Sequence, residues 1–126
     1  MQFRGGTGIS SRLLGYWVRE EGIMSLEQAV KRLTFENASV FGIYDRGLLR
    51  PGMAADIVTF NPNTINTVDE DVVHDLPGGS WRMRELATGV HHTIVNGQVL
   101  IEDGRPTGAL PGRVLRNSLY HQRAQA

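Results

Sequence analysis

The chain has 126 residues, a length that suits one domain. Hydrophobic residues make up 40% and charged residues 21%, which excludes a disordered composition. Thirteen Lys plus Arg balance thirteen Asp plus Glu, so charge gives no argument for a nucleic-acid or anionic-membrane partner. Cysteine is absent, which excludes a disulfide framework and a thiolate metal site. No apolar run approaches the ~20 residues of a membrane span, and Met1 to Gly6 lacks the apolar core of a signal peptide. The cytoplasm is the expected compartment.

In chain order, Arg4-Gly5-Gly6-Thr7-Gly8 reads as a loop. Ser10 or Ser11 is positioned to cap a helix running to about Glu21, with Gly22 as its stop. Leu13, Leu14, Tyr16, Trp17 and Val18 would cover roughly 200° of that helix, a wider arc than one buried stripe. It should therefore pack on two sides, with Trp17 in the core. A second helix starts at Ser25, where Gln28 three residues on completes a capping box. Met24 can staple onto Ala29. Ala29, Val30 and Leu33 form its inner face, and Lys31 and Arg32 point to water. A third helical piece is expected from about Glu36 to Phe41, closed by Gly42.

The architecture changes at Gly47. Pro51 and Gly52 suit the two central positions of a type II turn, and Ile57-Val58-Thr59-Phe60 reads as a strand stopped by Asn61-Pro62-Asn63. Thr64 to Glu85 carries no periodic signal beyond a short strand near Trp81 to Leu86. Val90 to Val95 and Gln98 to Glu102 flank Asn96-Gly97, which predicts a hairpin with a two-residue type I′ turn. In that register Ile94 faces Val99 and His92 faces Ile101. Val90, His92, Ile94, Val99 and Ile101 would then share one face. Asp103-Gly104 makes a further turn, Leu110 to Arg116 closes the ordered part, and a polar tail follows.

No catalytic constellation emerges from spacing. The histidines are His74, His91, His92 and His121, and none stand in H-x-H or H-E-x-x-H spacing. His91 and His92 are strand neighbours, whose side chains point to opposite faces and cannot share an ion. Gly5-Gly6-Thr7-Gly8 lacks the preceding strand and the lysine of a phosphate-binding loop and is read as a plain loop. Asp69, Glu70, Asp71 and Asp75 are read as a solvated acidic loop. Ser10 and Ser11 lack a nucleophile elbow and are read as caps. Trp81, beside Gly78-Gly79-Ser80, is read as packing, with a groove-lining role the alternative. A helical first third and a β-rich remainder would leave edges and apolar faces open.

Several stretches carry a resemblance. Leu13-Leu14-Gly15-Tyr16-Trp17-Val18-Arg19-Glu20-Glu21-Gly22 with Met24-Ser25-Leu26-Glu27-Gln28-Ala29-Val30 resembles the last helical part of an amidohydrolase barrel. Gly47-Leu48-Leu49-Arg50-Pro51-Gly52 with Ala54-Ala55-Asp56-Ile57-Val58 resembles the strand re-entering that family's small β-sandwich, and Val95-Asn96-Gly97 and Thr107 to Arg116 resemble its closing hairpin and tail. The resemblance is to the D-aminoacylase (N-acyl-D-amino-acid deacylase) branch of the superfamily, at its C-terminal end. It implies an α+β chain: residues 1–46 from the end of a metal-dependent hydrolase TIM barrel, 47–116 from part of a composite β-sandwich, and 117–126 a tail. It implies hydrolysis of non-peptide C–N bonds in small N-acyl amino acids by zinc-activated water, with an aspartate moving the proton.

None of that family's metal ligands falls on a residue here. The Ser-Asp of the last barrel strand would lie before the first helix, and no Asp occurs before Asp45. The resemblance therefore implies no catalytic or metal residue in this chain, zinc held elsewhere in a full-length member, and the rest of the barrel or another chain as partner. The alternative is a non-enzymatic α+β module that docks through an exposed sheet edge.

Overall fold

The computed structural model describes residues 8–68 and 70–116. The expected polar tail, His121, Asp69 and most of the Gly5-Gly6-Thr7-Gly8 loop lie outside the described residues. The chain combines helices with antiparallel sheets, an α+β arrangement.

The first helix begins as α1 (Ile9–Arg12) and widens without a break into a π-helical stretch, Leu13–Glu20. Its start corrects the reading of Ser10 and Ser11 as caps. Gly8 occupies the cap position, and its N–H donates to the Glu85 carboxylate at 3.0 Å. A carboxylate 77 residues away thus meets the terminal donor, and Ser11 is carried inside and buried. The π winding also redistributes the apolar arc. Leu14 and Gly15 are buried, Leu13 and Val18 flank the core, and Trp17 is 42% exposed rather than central. Gly15 can sit there because it has no Cβ: one would stand 2.3 Å from the Ile65 carbonyl oxygen.

Ser25 caps α2 (Leu26–Lys31) with both bonds of the expected box, Gln28 N to Ser25 Oγ at 3.2 Å and Ser25 N to Gln28 Oε1 at 3.3 Å. α2 continues through a π stretch, Arg32–Glu36, into α3 (Asn37–Val40). The two expected helices are thus one. Gly42 ends it as expected, in a left-handed conformation, with Ile43 N bonded to Ala38 O and Gly42 N to Ser39 O. Ala29 is fully buried, Val30, Leu33 and Met24 pack around it, and Lys31 and Arg32 are exposed.

The type II turn forms at Pro51-Gly52, with Met53 N bonded to Arg50 O and Gly52 at φ +87°. It feeds β1 (Ile57–Phe60). β2 (Asn66–Thr67) pairs with β5 (Ala87–Thr88), and β3 (Asp71–Val73) with β4 (Arg82–Arg84). The stretch without periodicity therefore holds two small ladders, whose strands are too short for alternation to register. β6 (Val90–Val95), β7 (Gln98–Glu102) and β8 (Arg105–Pro106) complete a four-stranded antiparallel sheet in the order β1-β6-β7-β8.

The hairpin turn falls at Asn96-Gly97 with both residues at positive φ, and Ile94 pairs with Val99 as expected. One step further the register slips. Leu100 is an extra residue, so Ile101 opposes Thr93, and His92 opposes Glu102 instead of Ile101. The single shared apolar face is split by this bulge. A second irregularity sets Phe60 opposite Val90, and both turn toward the helical core. The buried apolar residues are Leu14, Ala29 and Ile65 among the described residues. Every residue of β1, β6 and β7 retains some solvent exposure. No helix among the described residues is long and apolar enough to cross a membrane.

Candidate functional site

The turn-and-strand signature at Ala54-Ala55-Asp56 and the hairpin turn at Asn96-Gly97 meet in space around Arg46. Arg46 pairs through Nη1 with Asp56 and donates from Nη2 to Asn96 Oδ1 at 2.7 Å. Asp56 accepts the Asn96 backbone N–H at 2.8 Å. Asn96 Nδ2 donates to Pro111 O at 2.6 Å, and Gly97 N to Ala55 O at 2.9 Å. Burial opposes the charge on Asp56, but the Asn96 amide and Arg46 outweigh it and hold the carboxyl below its usual value. Four segments are knotted here. The knot joins the connection after the helices, the strand entry, the hairpin turn and the closing stretch. The sequence reading identified Asp56 and Asn96 separately, as strand entry and turn, and missed that Arg46 joins them.

An open groove of about 490 Å³ lies between the first helix and the β2 region. Arg12, Tyr16, Asn66, Thr67, Glu70 and Glu85 line it. Glu85 is engaged by Gly8, and Asn66 Nδ2 reaches Glu20 at 3.4 Å. Tyr16 is raised above the usual tyrosine value by its hydrogen bond to Glu21 and by that group's charge. The Tyr16 phenol therefore keeps its proton at neutral pH and is not itself an activated nucleophile.

Asp71 and Asp75 of the acidic cluster are exposed, as expected, but Asp71 stands on β3 rather than in a loop and both are paired. Asp71 accepts two bonds from Arg84, at 3.1 and 2.6 Å, and Asp75 two from Arg82, at 2.7 and 2.6 Å. These forks lie along the β3–β4 hairpin and hold both aspartates below their usual values. Trp81 beside them is half exposed, so the packing role read from the sequence does not hold. His91 and His92 turn to different partners. His91 Nδ1 lies 3.4 Å from Asp103, while His92 Nδ1 lies 3.0 Å from Thr59 Oγ1 and its Nε2 3.6 Å from Glu102.

The donor set does not fit a catalytic zinc. Among the described residues no three of His, Cys, Asp and Glu converge. His91 and His92 diverge, and Asp56, Asp71 and Asp75 each face arginine.

A profile of the amidohydrolase family matches residues 2–101. The chain belongs to the amidohydrolase family. N-acyl-D-glutamate deacylase of Alcaligenes xylosoxydans xylosoxydans is 39% identical over 110 residues, which cover 86% of this chain and 20% of that enzyme. The structure of a D-aminoacylase mutant in complex with copper chloride superposes with a TM-score of 0.69 at 36% identity, covering 87% of this chain and 21% of the other. The crystal structure of N-acyl-D-glutamate deacylase from Bordetella bronchiseptica, complexed with zinc and a phosphonate inhibitor, gives a TM-score of 0.59 at 38% identity, over 79% of this chain and 20% of that one. This amidohydrolase chain thus spans about a fifth of the length of the relatives it matches. The matched stretch includes the two helices, the Pro51-Gly52 turn and the hairpin, whose resemblance the sequence carried.

Proposed function

We propose that this chain is the C-terminal portion of an N-acyl-D-amino-acid deacylase-like amidohydrolase and is inactive by itself. The observation that carries the reading is the extent of the match: most of this chain, at 39% identity, against only 20% of the relative. On this reading residues 1–46 end the hydrolase barrel, residues 47–116 supply part of its composite β-sandwich, and residues 117–126 trail it. The ion that generates hydroxide from water, and the aspartate that moves the proton, belong to the remainder of the barrel. Zinc in a structurally similar deacylase supports that assignment, as does the lack of fit between this donor set and a metal. The substrate class is a small N-acyl D-amino acid, after the names of the relatives. The knot at Arg46 and the groove beside Tyr16 are scaffold.

Metal analysis combined with a deacylation assay on N-acetyl-D-glutamate tests this. The expected result is substoichiometric zinc and no turnover by the chain alone. Turnover with one tightly held ion per chain would refute the reading. A second reading rests on the edge of β1, which pairs with no further strand among the described residues and would take strand addition by another protein. A stable monomer that unfolds cooperatively in sedimentation and melting experiments would favour that docking module over a piece of a barrel.

A further inference from the structure

Asn96-Gly97 is the one Asn-Gly pair in the sequence. Such a pair is chemically labile, because the glycine leaves its own amide nitrogen unhindered. That nitrogen loses its proton and attacks Asn96 Cγ, Nδ2 departs as ammonia, and a succinimide ring closes. Water then opens the ring at either carbonyl to give aspartate or isoaspartate. No oxidant or cofactor is needed, and the product gains one negative charge.

The surroundings of this pair bear on each atom of that reaction. Attack requires Cγ to swing onto the Gly97 nitrogen. Arg46 holds Oδ1 at 2.7 Å, Pro111 O holds Nδ2 at 2.6 Å, and Ala55 O holds the Gly97 N–H at 2.9 Å. Asp56 fixes the Asn96 backbone N–H and orients Arg46. The nucleophile, the leaving group and the carbonyl oxygen are therefore each tied to a different segment of the chain. Arg46 is itself well buried, its side chain 12% exposed, so this restraint is not a surface contact that water readily exchanges. Gly97 is exposed, so water for the hydrolytic step is at hand once the restraint opens.

We propose that Asn96 is a deamidation site which the Arg46–Asp56 knot keeps closed, and whose conversion to aspartate unfastens the closing stretch at Pro111. The second half follows from donor chemistry. An aspartate at this position still accepts from Arg46 but has lost the Nδ2 donor, and its carboxylate then faces the Pro111 carbonyl oxygen. Thr107 still anchors the start of that stretch through Oγ1 to Val99 O at 2.6 Å, so what is released lies beyond it.

The test follows deamidation of the whole chain by peptide mass spectrometry at mildly alkaline pH, folded and in concentrated urea. Asn61, Asn63 and Asn66 serve as internal controls. Asn96 is expected to convert about tenfold or more faster in urea, because local opening no longer limits the reaction. In buffer, Arg46→Gln is expected to move the rate toward the urea value. Arg84→Gln, which breaks an ion pair on the β3–β4 hairpin and touches no member of the knot, should leave it near that of the unaltered chain. Equal rates folded and in urea would overturn the proposal without any variant. So would an Arg46→Gln rate matched by Arg84→Gln. For the second half, Asn96→Asp should narrow the NMR lines of Leu110 to Gly112 while those of Thr93 to Val95 keep their width; unchanged lines at Leu110 to Gly112 would refute it.

Discussion

Gly15 shows how far one atom decides the packing of this chain. A Cβ there would meet Ile65 O at 2.3 Å and the Asn66 side chain at 2.9 Å. The first obstacle is backbone, which cannot rotate away as a side-chain tip would. The same carbonyl accepts Arg19 Nη1 at 2.7 Å, so moving it also strains a charged hydrogen bond. Gly15→Ala is therefore expected to lower stability by about 1–3 kcal/mol, an overpacking cost read as a fall in the urea midpoint. The aspartate forks are also residue-scale devices, but exposed ones. Asp71 is held low first by its bond from Arg84, and Asp75 by its bond from Arg82. A carboxyl depressed in the folded state contributes stability above its unfolded pKa and loses it as pH falls through the folded one. Acid should thus loosen the β3–β4 hairpin. In a carboxyl NMR titration, Arg84→Gln should raise the Asp71 midpoint toward the ordinary aspartate value; an unmoved midpoint would show that the fork does not hold the charge.

At the scale of elements, the capping box at Ser25 is local enough to be isolated. Its two bonds span three residues and both partners are exposed, so little else responds to their loss. Ser25→Ala is expected to cost about 1 kcal/mol, read from denaturant melts, with Ser25→Asn largely retaining the cap. What the sequence conveyed follows the same logic of locality. The box, the Pro51-Gly52 turn and the Asn96-Gly97 turn are each specified within four residues, and each forms where expected. The first helix's start was not legible from Ser10 and Ser11, because its terminal donor is met by Glu85 from the far side of the chain. The π winding of Leu13–Glu20 places Trp17 outward, and a count at 100° per residue assumes α geometry. Leu100 gives no local mark of a bulge, so His92 was paired one residue early. Of the candidate site, Asp56 and Asn96 stood in recognisable motifs, while Arg46 stood in none. Its role depends on three segments arriving together.

At the scale of the whole molecule, the apolar surface is the dominant feature. Val40, Phe41, Tyr44 and Leu49 lie close in sequence at the end of the helices and the turn that follows, and each is largely exposed, from 69% for Phe41 to 82% for Val40. Leu110 is 91% exposed and Val114 80%. Burying one side chain of this kind contributes about 1.5–3 kcal/mol, so a partner covering a few of them would match the ~5–15 kcal/mol that holds an ordinary domain together. Leu14, Ala29 and Ile65 form a small core by comparison. The chain as given should therefore associate with itself as its concentration rises, since unsatisfied apolar surface of this extent finds some cover. Sedimentation velocity across a concentration series measures this directly. The weight-average coefficient is expected to climb, and Val40→Glu with Leu49→Glu to flatten the climb while leaving far-UV circular dichroism unchanged. Neither side chain supports the buried cluster, so a loss of helical signal in that variant would mean the end of α3 is held by contacts other than those described. A flat series for the unaltered chain would mean that these residues tolerate water, and the case for a missing covering layer would then rest on the length of the relatives alone.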